Sequence, residues 1–290
     1  MFKVAILGCE NSHANNFLNA IYNEKIVDDV EIIGVYGYDP IDTDAAQKLH
    51  DEFGVYVADN YDEFVGKVDG VIITARHGDH HYKYAKPYLS SGIPMFIDKP
   101  ITCSQEDAVD FMADLKAHNI PVSGGSVCVT AQHVQTLKKA VQEGTYGKVY
   151  GGFLRAPVNM ENPYGDFFFY CQHLVQVMME IFGNYPKSVQ VFQNDKTYTC
   201  VVRYADYDVT IVFQDENYLY YAGISCEKGF IGNSYSDLPF DKEFMEFHDL
   251  LLGHPQQKSY EDFFAPVYVQ NAIARSIQSG KEEVITYFQK

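Results

Sequence analysis

The chain has 290 residues, enough for one large core or two ordinary ones, and a usual domain size of roughly 100 to 200 residues favours two. Hydrophobic residues make up 47% and charged residues 21%, which excludes a disordered or collagen-like chain. A formal net charge of −17 repels phosphate backbones and anionic lipid heads, so neither nucleic acid nor a membrane surface is expected as a main partner.

In chain order, short β-branched runs at 4–7, 31–36, 70–74, 95–97 and 120–122 alternate with amphipathic stretches that begin near Ala14, Thr43, Tyr61, Asp79 and Ser104. Thr43 and Ser104 are suitable N-caps for their helices. Such alternation predicts a parallel sheet with helices on both faces, a doubly wound α/β domain of Rossmann type over residues 1–123, with its ligand crevice at the strand ends. The texture then changes. A helix over 132–143 stops at Gly144, and aromatic-rich strands follow at 149–155, 188–192, 198–204, 208–214 and 219–226. Turns such as Asn194-Asp195 and Asp206-Tyr207 join them meander-fashion, which predicts an open, mainly antiparallel sheet. Helices at 244–252 and 265–279, closed by Gly253 and Gly280, complete an α+β domain over 124–290.

The six cysteines are scattered without a C-x-x-C pair and read as reduced thiols. Apolar stretches are broken by glycine or charge well short of the roughly 18 to 20 residues of a membrane span. Met1 leads at once into the strand that contains Val4, which leaves no space for a signal segment, so a cytoplasmic protein is expected.

Three segments form a pattern: Val68-Asp69-Gly70-Val71-Ile72-Ile73-Thr74, His81 with Ala85 four residues on, and Ser91-Gly92-Ile93-Pro94-Met95-Phe96-Ile97-Asp98-Lys99-Pro100. Together they resemble the strand, helix and "Glu-Lys-Pro" stretch of the Gfo/Idh/MocA family, the glucose-fructose oxidoreductases, inositol dehydrogenases and their relatives. The tail from Ser259-Tyr260-Glu261-Asp262 through Ala272-Ile273-Ala274-Arg275-Ser276 to Ser279-Gly280-Lys281 is similar to the C-terminal helix of that family. The resemblance implies a dinucleotide-binding domain followed by a sheet domain that carries the substrate and the oligomer interface. It further implies an NAD(P)-dependent oxidoreductase acting on a sugar, polyol or related hydroxy compound.

On this resemblance Lys99 hydrogen-bonds the substrate hydroxyl beside the nicotinamide. Its place after a parallel strand agrees, and Pro100 directs the backbone behind it. In Tyr170-Cys171-Gln172-His173, the resemblance makes His173 the acid/base, a role open to a neutral imidazole within reach of the hydroxyl. The aspartate usual in the family four residues earlier is Phe169 here, Asp166 is too distant along a helix to replace it, and Tyr170 lies on the face that could help His173.

The dinucleotide fingerprint departs from its pattern. Where G-x-G-x-x-G lets backbone approach a pyrophosphate at a helix N-terminus, the turn reads Gly8-Cys9-Glu10-Asn11-Ser12-His13. A carboxylate about 4 Å from a phosphate costs from roughly 1 kcal/mol in water to about 4 kcal/mol at an effective dielectric of about 20. Asn11, Ser12 and the first amides of the next helix are the remaining donors, and a protonated His13 would offset Glu10. Asp39 ends the second strand where a ribose-binding carboxylate belongs, and no Arg or Lys follows before Lys48, which favours NAD over NADP. The candidate cofactor-binding set is Gly8, Glu10, Asn11, Ser12, His13, Asp39, Thr74, Arg76, His77, His81 and Asp98, with Lys99 and His173 catalytic and no metal ligand assigned.

Two alternatives follow from the same residues. The altered turn suits a family member that has lost its redox cofactor and serves as a sugar-binding regulatory protein. In the usual doubly wound order the first and fourth strands are neighbours, so Glu10 and His13 would face the loop from Arg76 to His81, and Glu10, His13 and His77 would offer a metal-assisted lyase or isomerase site. Tyr218, Tyr220 and Tyr221 are expected to pack a sheet face between copies in a homodimer or homotetramer rather than to line a sugar site.

Overall fold

A computed structural model describes residues 1–38, 41–215 and 217–289. The reading placed on Asp39 therefore falls outside the described residues. The chain divides into two compact units. The first comprises Met1–Thr102, Asp107–Gly125 and Phe240–Phe263; the second comprises Cys103–Glu106, Ser126–Pro239 and the chain from Phe264 on.

In chain order the first elements are β1 (Phe2–Leu7), α1 (Ser12–Tyr22), β2 (Val30–Tyr36), α2 (Ala45–Phe53), β3 (Gly70–Ile73), α3 (Asp79–Ala85), β4 (Met95–Asp98), α4 (Gln105–Ala117) and β5 (Val122–Gly125). There follow α5 (Gln132–Gln142), β6 (Val149–Val158), α6 (Phe168–Phe182), β7 (Ser188–Asn194), β8 (Thr197–Arg203), β9 (Asp208–Asp215), β10 (Tyr220–Cys226) and β11 (Gly229–Tyr235). The last are α7 (Phe240–Leu251), α8 (Tyr260–Ser279) and β12 (Glu283–Val284).

In the first unit the five strands run parallel in the order β2-β1-β3-β4-β5. Both faces of this sheet are covered, which is why β3 and β4 are buried along their whole length and read as unbroken apolar runs rather than alternating ones. The strand that would be third in the usual order is reduced to an isolated bridge between Val35 and Val57. β3 takes the place of the fourth strand of the usual order, beside β1, and the switch point falls between their carboxyl ends.

Two local expectations are corrected. The stretch from Tyr61 is a run of turns, closed by Glu63, Val65 and Lys67 amides on the carbonyls three residues back, with Gly66 at positive φ ending any continuation. Helix α2 starts at Ala45 with Asp44 in the cap position, so Thr43 does not cap it. Helix α7 also joins this unit: its Phe244 ring lies 5.8 Å from Phe17, and its Phe247 ring 6.5 Å from Phe96 in β4.

The second unit is built on a sheet in the order β11-β10-β6-β9-β8-β7-β12, antiparallel except for the β6–β9 pair. Hairpin β7–β8 turns at Asp195, which takes a positive φ as the Asn-Asp signal suggested. Edge strand β11 was not expected. Its Gly-Phe-Ile-Gly-Asn-Ser-Tyr sequence is mostly exposed and polar or glycyl, so the alternation that marks a half-buried strand is missing. No helix among the described residues is long and apolar enough to cross a membrane.

Candidate functional site

The β1–α1 turn is tied to the end of β3. Gly8 sits at φ +84°, and a Cβ there would meet the Ala75 backbone nitrogen at 2.3 Å, so only glycine lets the two strand ends approach. Thr74, wholly buried, donates its hydroxyl to the Gly8 carbonyl at 3.0 Å. Glu10 is 5% exposed, and its Oε1 accepts the Arg76 amide at 3.1 Å. Its charge is felt at the end of β2 and beyond: burial first, then Tyr36 and Glu10, push the Tyr84 hydroxyl well above its ordinary value.

Asn11 and His13 turn the other way, toward β4. Asn11 caps α1, its Oδ1 3.4 Å from the His13 amide, and its Nδ2 donates to Asp98 Oδ2 at 2.7 Å. His13 Nδ1 lies 2.9 Å from Asp98 Oδ1, an ion-pair contact outside hydrogen-bond alignment, and its ring meets Phe240 edge-on at 4.9 Å. Both side chains are thus engaged with Asp98, which corrects the expectation that Asn11 would serve a phosphate and His13 would offset Glu10. Ser12 alone of the turn is exposed, at the first position of α1.

Asp98 ends β4 in complete burial, and its Oδ1 accepts the Lys99 amide at 2.7 Å. Burial by itself would raise this carboxyl, but the neighbouring His13 ring, then Lys99 and His81, hold it below the usual carboxylate value. Lys99 is 5% exposed. His81 is fully buried, with Nε2 2.8 Å from the Ala75 carbonyl and Nδ1 3.3 Å from that of Ile101, and burial lowers its pKa. Such a ring braces the β3 end against the segment after Lys99 and presents no nitrogen to a ligand. His77 stays near its own loop, its Nδ1 accepting the Asp79 amide at 3.3 Å. Glu10, His13 and His77 are therefore drawn to three different partners, the Arg76 amide, Asp98 and the Asp79 amide, and do not form the metal-ligand set expected of them.

In the second unit, α6 carries His173 in a polar pocket of its own. Ser126 Oγ is 2.6 Å from His173 Nδ1 and Cys128 Sγ is 3.4 Å from it. The Ser126 amide donates to Gln176 Oε1 at 2.6 Å, and Gln172 Nε2 donates to the same oxygen at 3.0 Å. A ring with Nδ1 engaged in this way is held in place. Ser126, Cys128 and Gln176 were not foreseen; the four-residue spacing of Gln172 and Gln176 on a largely apolar helix was the one available signal. Tyr170 lies 6.1 Å from His173, ring to ring, as its spacing suggested. Phe169 packs on Tyr164 and Tyr170, while Asp166 precedes α6 with φ +49° and is not on the helix at all.

Residues 2–126 match the oxidoreductase family with an NAD-binding Rossmann fold designated Gfo/Idh/MocA. An uncharacterized oxidoreductase of Streptococcus pneumoniae serotype 4 (strain ATCC BAA-334 / TIGR4) is 29% identical over 114 residues, which are 39% of this chain and 30% of that protein. The aligned region thus spans less than a third of the length of that relative. Similar solved structures include myo-inositol 2-dehydrogenase from Lactobacillus plantarum, with TM-score 0.85 and 14% identity over 98% of this chain and 99% of that one. Scyllo-inositol dehydrogenase from Lactobacillus casei, solved with NAD(H) and scyllo-inositol, has TM-score 0.83 and 15% identity over 98% and 99% of the two chains. At these identities the likeness is one of fold.

Proposed function

We propose that this chain, whose residues 2–126 match the Gfo/Idh/MocA oxidoreductase family, is an NAD-dependent dehydrogenase of a sugar, polyol or related hydroxy compound. The observation that carries the reading is the position of Glu10. Its carboxylate is folded onto the Arg76 amide and buried in the turn rather than extended over the first turn of α1. That leaves the exposed Ser12, at the positive end of α1, open to an anion, and the residues therefore fit a dinucleotide.

In this reading Ser12 and the positive end of α1 hold the pyrophosphate, the Gly8 turn permits its approach, and Asp39 takes the ribose. Bound NAD supplies the hydride acceptor. Lys99 hydrogen-bonds the substrate hydroxyl, and His173 receives the proton that the hydroxyl releases as its carbon is oxidised to a carbonyl. Glu10, Thr74, Asp98 and His81 shape and brace the first unit. The sheet of the second unit is assigned to self-association, on the strength of the exposed groove formed by Phe153, Leu219, Tyr221 and Phe230.

The second reading, a sugar-binding relative without redox function, is favoured by Phe169 in place of an acid and by the engagement of Asn11 and His13 with Asp98. Isothermal titration with NADH and NADPH, beside a Glu10→Gly variant, separates the two. Micromolar NADH binding by the unaltered protein is expected, with the variant binding about fivefold or more tightly once the carboxylate is gone. Binding by neither protein, or by the variant alone, rejects the dehydrogenase.

A further inference from the structure

The buried end of β4 meets one more ionisable group, which the chemistry above does not use. Glu243, in the first turn of α7, is 3% exposed, and its Oε2 is buried without a hydrogen-bond partner. The register of α7 against β4 brings it there. Phe247 packs on Phe96. One turn back along the helix, about 6 Å, is Glu243; two residues on along the strand, about 6.6 Å, is Asp98. Phe240 and Phe244 fix the same register from the other side through His13 and Phe17.

The charges that reach Glu243 are those of Asp98 and Lys99 from β4, Glu246 from α7 itself and Lys258 from the segment after α7. His13 of α1 joins the set through Asp98. Burial first, then Asp98 and Glu246, push the carboxyl well above the usual carboxylate range, and Lys99 and Lys258 oppose this only in part. A buried carboxyl oxygen without a hydrogen bond costs the fold stability, and groups of this kind gather where a site uses them.

We propose that Glu243 is a positioning residue of the oxidoreductase site, one whose own protonation decides where the Lys99 ammonium is held. Protonated, it adds no charge beside Lys99, and the ammonium stays at the end of β4 for a ligand. Ionised, it becomes a second anion next to Asp98, draws the ammonium inward and repels an anionic dinucleotide. The inference rests on the dehydrogenase reading.

The test follows NADH affinity by fluorescence titration from about pH 5 to about pH 9 in the unaltered protein, Glu243→Gln and Glu246→Gln, with thermal melts of each without nucleotide. In the unaltered protein NADH affinity is expected to fall about tenfold along an alkaline limb. Glu243→Gln should bind without that limb. Glu246→Gln removes a charge that raises Glu243, so its limb should move to lower pH. The melts report the proton independently: a raised carboxyl pKa means stability is lost as pH climbs from the unfolded value through the folded one, and Glu243→Gln should lack this loss. A limb unchanged in Glu243→Gln, or unmoved in Glu246→Gln, overturns the proposal, and the second outcome decides alone should the Gln variant fail to fold. Absence of NADH binding at every pH in all three proteins rejects the dehydrogenase and this role together; a stability limb then leaves Glu243 as a structural cost only.

Discussion

Replacement of Asp98 by Asn gives a quantitative test of the first unit's polar centre. The carboxylate is wholly buried and accepts from Asn11 Nδ2 at 2.7 Å and from the Lys99 amide at 2.7 Å, with the His13 ring nitrogen 2.9 Å away. An asparagine offers one acceptor oxygen, and its NH₂ must then face a donor, since the Asn11 amide cannot rotate without giving up the α1 cap. Contacts to a charged acceptor contribute about 1.5–3 kcal/mol each, so the loss of roughly two of them costs about 3–5 kcal/mol. At about 2–4 °C per kcal/mol for a protein of this size, the melting temperature should drop by about 10 °C near neutral pH. The sign of the pH dependence follows from the lowered carboxyl. Its stabilisation is fully present above the unfolded aspartate value of about 3.9 and is lost as pH falls through the folded one, so the gap between the two proteins should be level through neutral pH and close in acid. Circular-dichroism melts at several pH values measure this. A gap under about 2 °C at neutral pH, or one that widens in acid, would refute the account of Asp98 as the ionised hub of the cluster.

Gly8→Ala should destabilise by more than about 3 kcal/mol, because the residue must keep a positive φ while its Cβ meets Ala75 backbone at 2.3 Å; a denaturant midpoint near that of the unaltered protein would contradict the close approach. His173→Gln should lower turnover of any accepted hydroxy substrate by at least about a hundredfold, while Ser126→Ala, which removes the hydroxyl 2.6 Å from Nδ1, should lower it by about tenfold, both with NADH affinity unchanged by titration. Equal turnover in Ser126→Ala and the unaltered protein would show that the hydroxyl does not orient the ring.

Much of the architecture follows from short-range pattern. β3 and β4 are apolar runs because a doubly covered parallel sheet needs them, the Asn194-Asp195 pair supplies a turn with positive φ, and Gly253 and Gly280 follow the ends of α7 and α8. The unusual turn at Gly8 to His13 was equally legible, since a fingerprint is a local string of residues. Its consequence was not. Glu10 is accommodated by an amide 66 residues away, and Asn11 is claimed by a carboxylate 87 residues away. Ser126 meets His173 across 47 residues, and α7 brings Glu243 from the far part of the chain into the first unit. Periodicity, caps and glycines act over a turn or two of chain, so sequence alone determined most of the elements, though not β11 or the turns after Tyr61, and which residue types the site contains. The partner of each buried polar group depends on which distant segments the packed core brings within hydrogen-bond reach, and only the tertiary structure decided that.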